Sequence, residues 1–223
     1  MAGEGATPLP RVLVTGFSVF PGAPVNPTEA LARLLSLDPP TEGLEAFQAE
    51  ILPVEYAGLA DRLSAIGRAF RPDIVIQFGL ARRAIGFRLE GLARNSLKHA
   101  RPDNQGHLPV SERICDGPES WTSTLPLNAI ADDLQAEGLP VEWSDDAGGY
   151  LCNMAFALAR SGTCEGLQAG MTGFVHVPPL PEDALEGELP ISAADLERGA
   201  RLIIARCVAT WTGAGRSDRN SKR

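Results

Sequence analysis

The sequence predicts one α/β domain with a largely parallel sheet covered by helices on both faces. Three observations carry this. Short β-rich apolar runs alternate with helical segments along most of the chain, as parallel strands joined by crossover helices do. The first and third of these runs end in glycine-containing loops, where sites in such sheets collect. Finally, 223 residues with 44% hydrophobic and 22% charged residues suit a single packed core.

Arg11 to Phe17 (RVLVTGF) reads as a buried central strand ending near Gly16. The loop from Ser18 holds Pro21, Gly22 and Pro24. Asn26-Pro27 then opens a helix, with Asn26 at the N-cap and Pro27 at the first helical position, and the helix stops before Pro39-Pro40. Glu45 to Val54 is a second strand. Tyr56 to Phe70 is the clearest amphipathic helix, with Leu59, Leu63, Ile66 and Phe70 on one face. Asp73 to Leu80 is a third buried strand. Arg83 to Asn95 alternates loosely and reads as one further strand or long hairpin arm. Arg101 to Pro126 is polar and turn-rich, a length of irregular chain that is usually functional or mobile.

Asn128 to Ala136 is a short helix and Leu139 to Ser144 a strand. Asp146 to Gly149 makes a tight turn into a helix over Tyr150 to Ser161. Leu167 to Val177 is an apolar strand. Ser192 caps a final helix reaching about Thr212, with Asp195 completing a capping-box variant. Residues 1–10 read as a flexible lead-in, 11–212 as the domain and 213–223 as a disordered charged tail.

Twenty Lys+Arg against 28 Asp+Glu give a formal charge of −8, which disfavours nucleic acid and anionic membrane as partners. No apolar run is long enough to span a bilayer and no lysine-led signal peptide opens the chain. The four cysteines, Cys115, Cys152, Cys164 and Cys207, follow no metal or disulfide spacing and read as reduced thiols. No nucleotide loop or metal-ligand cluster is present, so no cofactor and no metal are expected.

Two residues could carry chemistry. Cys152 lies in the first turn of a helix that follows a Gly148-Gly149 turn. There, unpaired backbone N–H groups and the helix dipole favour a thiolate and could hold an oxyanion. A lone cysteine at such a place is more often structural. His176 ends an apolar strand just before Pro178-Pro179, where either a satisfied strand-end histidine or a general base fits. Adjacent parallel strands would bring the two together. A histidine base needs an orienting acid, and Glu90, Asp103, Asp145 and Asp146 are candidates, with Glu90 set apart by its apolar neighbours Phe87, Leu89 and Leu92.

Four segments together resemble the pyroglutamyl peptidase I family, also called pyrrolidone carboxyl peptidases. They are Val12 to Phe17 with Phe20 and Asn26-Pro27-Thr28; Gly79 through Glu90 to Asn95 with Ala100 to Asn104, Gly106 and Pro109; Ala147 to Asn153; and Gly173 to Pro178. They stand in the family's order and cover nearly the whole chain. The resemblance implies a three-layer α/β/α sandwich with a mixed, largely parallel twisted sheet, of the phosphorylase/hydrolase type. It implies a cytoplasmic cysteine peptidase, often a homotetramer, without a cofactor. It would remove the N-terminal pyroglutamyl residue from peptides through a thioester.

It further implies that Cys152 attacks, His176 activates it and Glu90 orients His176, while Phe17 and Phe20 hold the lactam ring. Leu80 and Arg83 fall at substrate-binding places. The sequence departs from the family's pattern at Val19-Phe20-Pro21, where Pro-Phe-Gly is usual. It departs again at Leu80, a glutamine in the family, and at Arg82-Arg83-Ala84, in place of Gly-Gly-Arg. These departures motivate two alternatives. One is a peptidase for another N-terminally blocked peptide or small amide; the other is a catalytically silent binding protein on the same scaffold.

Overall fold

The computed structural model describes residues 8–220, with side chains described as far as Thr212. Eight strands and five helices follow one another. They are β1 (Arg11–Phe17), α1 (Pro27–Leu37), β2 (Ala46–Leu52), α2 (Leu59–Phe70), β3 (Ile74–Leu80), β4 (Phe87–Glu90), β5 (Leu92–Arg94), β6 (Ser120–Thr122), α3 (Leu127–Ala136), β7 (Val141–Ser144), α4 (Leu151–Ser161), β8 (Met171–Val177) and α5 (Ala193–Asn220). Six strands form the main sheet in the order β2-β1-β3-β8-β4-β7, and β5 pairs with β6 in a small second sheet. β2, β1, β3 and β8 run parallel, whereas β4 is antiparallel to β8 and parallel to β7.

The period-2 alternation of the central strands divides the core in two. Val12, Val14, Ile74, Ile76, Phe78, Val175 and Val177 face α1, α3 and α5. Leu13, Phe17, Val75 and Phe174 face α2 and α4. The result is the expected three-layer sandwich. Local signals place its helices: Asn26 Oδ1 accepts from the Thr28 amide at 3.0 Å, with Pro27 behind it, and Ser192 and Asp195 form their reciprocal cap. No helix among the described residues is long and apolar enough to cross a membrane.

Three expectations change. The 83–95 run is two strands in two sheets, because the chain turns at Gly91, whose Hα faces Asp145 so closely that a Cβ would collide with it. β6 lies within the segment expected to be irregular. There, side chains rather than periodicity order the backbone: Asn95 alone bonds Cys115 O, Pro118 O and the amides of Ile114 and Cys115. At the other end, α5 continues eight residues past Thr212 to Asn220, since glycines weaken a helix without stopping it as proline would. The remainder of the expected tail, and Met1 to Thr7 of the expected lead-in, lie outside the described residues.

Candidate active site

α4 begins abruptly. Gly148 has φ +84°, and a Cβ on Gly149 would collide with the Lys98 carbonyl, so the chain enters the helix through a turn that only glycines fit. Tyr150 is the N-cap but supplies no side-chain acceptor, and the first amide used is that of Met154, which donates to Tyr150 O at 3.0 Å. The amides of Leu151, Cys152 and Asn153 therefore remain as donors at the positive end of the helix. The Asn153 side chain fixes this turn in place. Fully buried, it accepts from the Arg94 amide at 2.8 Å and donates to Arg94 O at 2.8 Å and Ser96 O at 2.9 Å.

Cys152 points across the sheet face toward the middle strands. It lies so near β3 that a Cβ on Gly79 would stand 2.9 Å from its sulfur and 2.7 Å from the Phe174 ring. Gly79 pairs with His176 in the β3–β8 ladder, so sulfur and imidazole share one face. The adjacency does not arise as the sequence suggested. β4 lies between β7 and β8 and runs against β8, and the sulfur reaches His176 because α4 crosses over the sheet.

Antiparallel pairing of β4 with β8 also delivers the acid. Arg88 pairs with His176 and Glu90 with Phe174, which makes Glu90 and His176 diagonal neighbours on the same face. His176 Nδ1–H donates to Glu90 Oε1 at 2.7 Å, with Glu90 fully buried and His176 at 5% exposure. That bond leaves Nε2 for Cys152. Burial pulls the imidazole toward its neutral form. Hydrogen bonding and charge from Cys152, then from Glu90, outweigh it and hold the His176 pKa up at about 9. Burial pushes the Cys207 thiol up to about 12 and raises that of Cys164. All four cysteines are free.

Beside the sulfur is a small pocket lined by Phe17, Phe20, Asn26, Val54, Leu80, Arg101, Tyr150, Leu151 and Cys152. Its phenylalanines come from the first loop, which Asn26 and Thr28 brace. Asn26 Nδ2 donates to Ser18 O at 3.0 Å, and Thr28 Oγ1 accepts from the Phe17 amide at 3.0 Å. The 101–107 stretch closes over the pocket. Asn104 donates to Val19 O at 2.9 Å and Tyr56 Oη to Arg101 O at 2.9 Å. Asp103 accepts from the amides of Tyr56, Gln105 and His107, and these three donors outweigh its burial and hold its pKa below the usual carboxylate range.

The structure therefore brings together Cys152, His176, Glu90, Phe17, Phe20 and Leu80. Arg83 is exposed and outside the pocket lining. The ordered cation of that loop is Arg82, tied to Asp183 at 2.5 Å and Glu188 at 2.9 Å, which anchors the loop rather than facing the sulfur. Asp103 serves its own loop, and Asp145 and Asp146 are exposed. Sequence reasoning missed Tyr150 and Arg101 as pocket residues. Both lie in segments that carry the family resemblance, but nothing local signals that Arg101 folds back onto Tyr150. Among the described residues no group of three His, Cys, Asp or Glu side chains could hold a metal ion.

Comparison with known proteins identifies the family. The family model described as pyroglutamyl peptidase matches residues 10–200. The pyrrolidone-carboxylate peptidase of Pyrococcus furiosus is 35% identical over 187 residues, covering 82% of this chain and 89% of that protein. The Streptomyces coelicolor protein of the same name is 35% identical over 203 residues, covering 90% and 93%. A solved structure of a mutant pyrrolidone carboxyl peptidase from P. furiosus superposes with a TM-score of 0.83 at 31% identity, covering 90% of this chain and 99% of that one. The chain belongs to the pyroglutamyl peptidase family of cysteine-type omega peptidases.

Proposed function

We propose that this protein hydrolyses the bond joining an N-terminal pyroglutamyl residue to the rest of a peptide, with Cys152 as nucleophile, His176 as acid–base and Glu90 as the group that orients His176. The observation that carries the reading is the buried Glu90–His176 contact of 2.7 Å, with Cys152 on the far side of the imidazole and at the wall of an aromatic pocket. Phe17, Phe20 and Tyr150 suit a flat, neutral lactam ring better than a charged pocket would.

The imidazolium that Glu90 and Cys152 stabilise leaves sulfur as the thiolate. The thiolate attacks the pyroglutamyl carbonyl carbon, and the carbonyl electron pair moves to oxygen. The free amides at the start of α4 receive that oxyanion. As the C–N bond breaks, His176 Nε2–H protonates the leaving amine, and a thioester remains on Cys152. Neutral His176 then takes a proton from water, whose oxygen attacks the thioester. Pyroglutamate leaves and the thiolate–imidazolium pair is restored.

A fluorogenic pyroglutamyl amide tests this directly. Release of the fluorophore is expected, with no release from the matching alanyl amide, whose free amine and open chain do not fit the pocket. A folded protein that leaves the pyroglutamyl amide intact would refute the assignment. The buried Glu90–His176 contact, with Cys152 hydrogen-bonded to the same imidazole, argues against the silent-scaffold alternative.

Gly79→Ala offers a second test. The new methyl would need the space of Cys152 Sγ and of the fully buried Phe174 ring. The sulfur is the freer of the two, so it should be displaced. A misplacement on the order of 1 Å costs ~10²-fold. We expect that loss mainly in kcat, measured on the same amide.

The same reading carries a cytoplasmic location, supported by four free thiols. It also carries a homotetramer, for which exposed Leu108 and Val110 offer apolar surface.

A further inference from the structure

We infer that Arg101 is a specificity residue that reads a carboxylate on the residue following the pyroglutamyl group. The inference rests on the reaction proposed above and deepens it. The pocket beside Cys152 has free space of about 20 Å³, room for roughly one water molecule. A lactam ring therefore needs part of the lining to move. Phe17, Asn26, Val54 and Leu151 are buried and fixed by the core or the first loop, and Phe20, Leu80, Tyr150 and Cys152 are half-buried. Arg101 alone in the lining is exposed, so the pocket opens at its side chain.

The Arg101 guanidinium lies 4.3 Å from the Tyr150 ring centroid and 5.4 Å from that of Phe20. It thus roofs the two rings while its own backbone is held by Tyr56. Among the described residues it forms no ion pair. The nearest carboxylate in sequence, Asp103, is engaged by three backbone amides. A protein of formal charge −8 therefore keeps a cation without a carboxylate partner at the mouth of its candidate site. With the ring inside and the scissile carbonyl at Cys152, the leaving residue emerges at this mouth. A carboxylate there would pair with the planar guanidinium fork in a bidentate fashion. Two sources have that chemistry: the α-carboxylate of a pyroglutamyl dipeptide, and an Asp or Glu side chain next to the scissile bond.

Four substrates separate them. Pyroglutamyl-alanine is compared with its C-terminal amide, and pyroglutamyl-glutamyl-alanine amide with its glutaminyl counterpart, on wild type, Arg101→Gln and Arg101→Lys. Wild type is expected to favour the carboxylate member of at least one pair by about fivefold in kcat/KM, through KM, the scale of a partly exposed ion pair. The preference should shrink at high salt, vanish in Arg101→Gln and persist in part in Arg101→Lys. A preference in the first pair alone identifies the α-carboxylate as the source, and one in the second pair alone the side chain. A ratio of one in both wild-type pairs, or a preference that Arg101→Gln leaves intact, would overturn the inference while sparing the reaction. Failure to cleave any of the four would overturn both.

Discussion

Cys152→Ala is expected to lower kcat/KM for a pyroglutamyl amide by at least ~10⁴-fold while leaving the protein folded. A nucleophile that forms the covalent intermediate has no substitute, and what survives comes from binding and oxyanion contacts alone. The fold should tolerate the change, because Cys152 is half-buried at a helix start, where alanine is an excellent helix former. Thermal unfolding checks that point, with a shift of no more than ~1 kcal/mol expected. Cys207→Ala is the informative control. Cys207 lies in α5, in the core on the other face of the sheet, so activity should persist whatever the cost in stability. Comparable losses in both variants would mean that the thiol chemistry had been assigned to the wrong cysteine.

The second large effect concerns the buried acid. Glu90→Gln retains an oxygen that can accept from His176 Nδ1–H, so the ring need not turn. It removes the negative charge that, with Cys152, holds the imidazolium against burial. The expected result is a fall in kcat approaching ~10⁴-fold, the loss seen when the orienting acid of a catalytic histidine loses its charge. The pH profile should change with it. On the proposed mechanism the proton that His176 gives to the leaving amine is lost as pH rises through about 9, and the wild type is expected to show an alkaline limb there. Without the Glu90 charge that limb should move to lower pH.

The same proton is linked to folding. The His176 pKa is raised above its unfolded value of ~6.5, so its contribution to stability is complete below that pH and disappears as pH climbs through about 9. Urea titrations across this window should show a decline in the wild type and a shallower one in Glu90→Gln. An unchanged alkaline limb in the variant would show that Glu90 does not tune His176.

Rules that act over a few residues were legible. Asn26-Pro27, Ser192 with Asp195, the face of α2 and the glycine turn before Cys152 all form as their local chemistry dictates. The placement of Cys152 and His176 at element ends was legible for the same reason. What escaped depends on partners distant in the chain. β4 is only four residues long, and its direction is settled by pairing with β8 across 86 residues at the Glu90–His176 contact. Arg82 and Arg83 are equivalent in sequence. Asp183 and Glu188 make Arg82 the anchor and leave Arg83 in solvent. The 101–107 stretch has no period to read, because buried Asp103 and half-buried Asn104 fold it onto the pocket by bonding backbone, and Arg101 travels with it.

The account stands or falls on whether the sulfur beside that imidazole becomes acylated. Rapid quenching into acid during turnover of a pyroglutamyl amide, followed by peptide mass mapping, reads this directly. One pyroglutamyl group on the peptide bearing Cys152, labile to hydroxylamine and absent from Cys152→Ala, is the expected result. Turnover with every thiol unmodified, or with the acyl group on Cys115, Cys164 or Cys207, would contradict it.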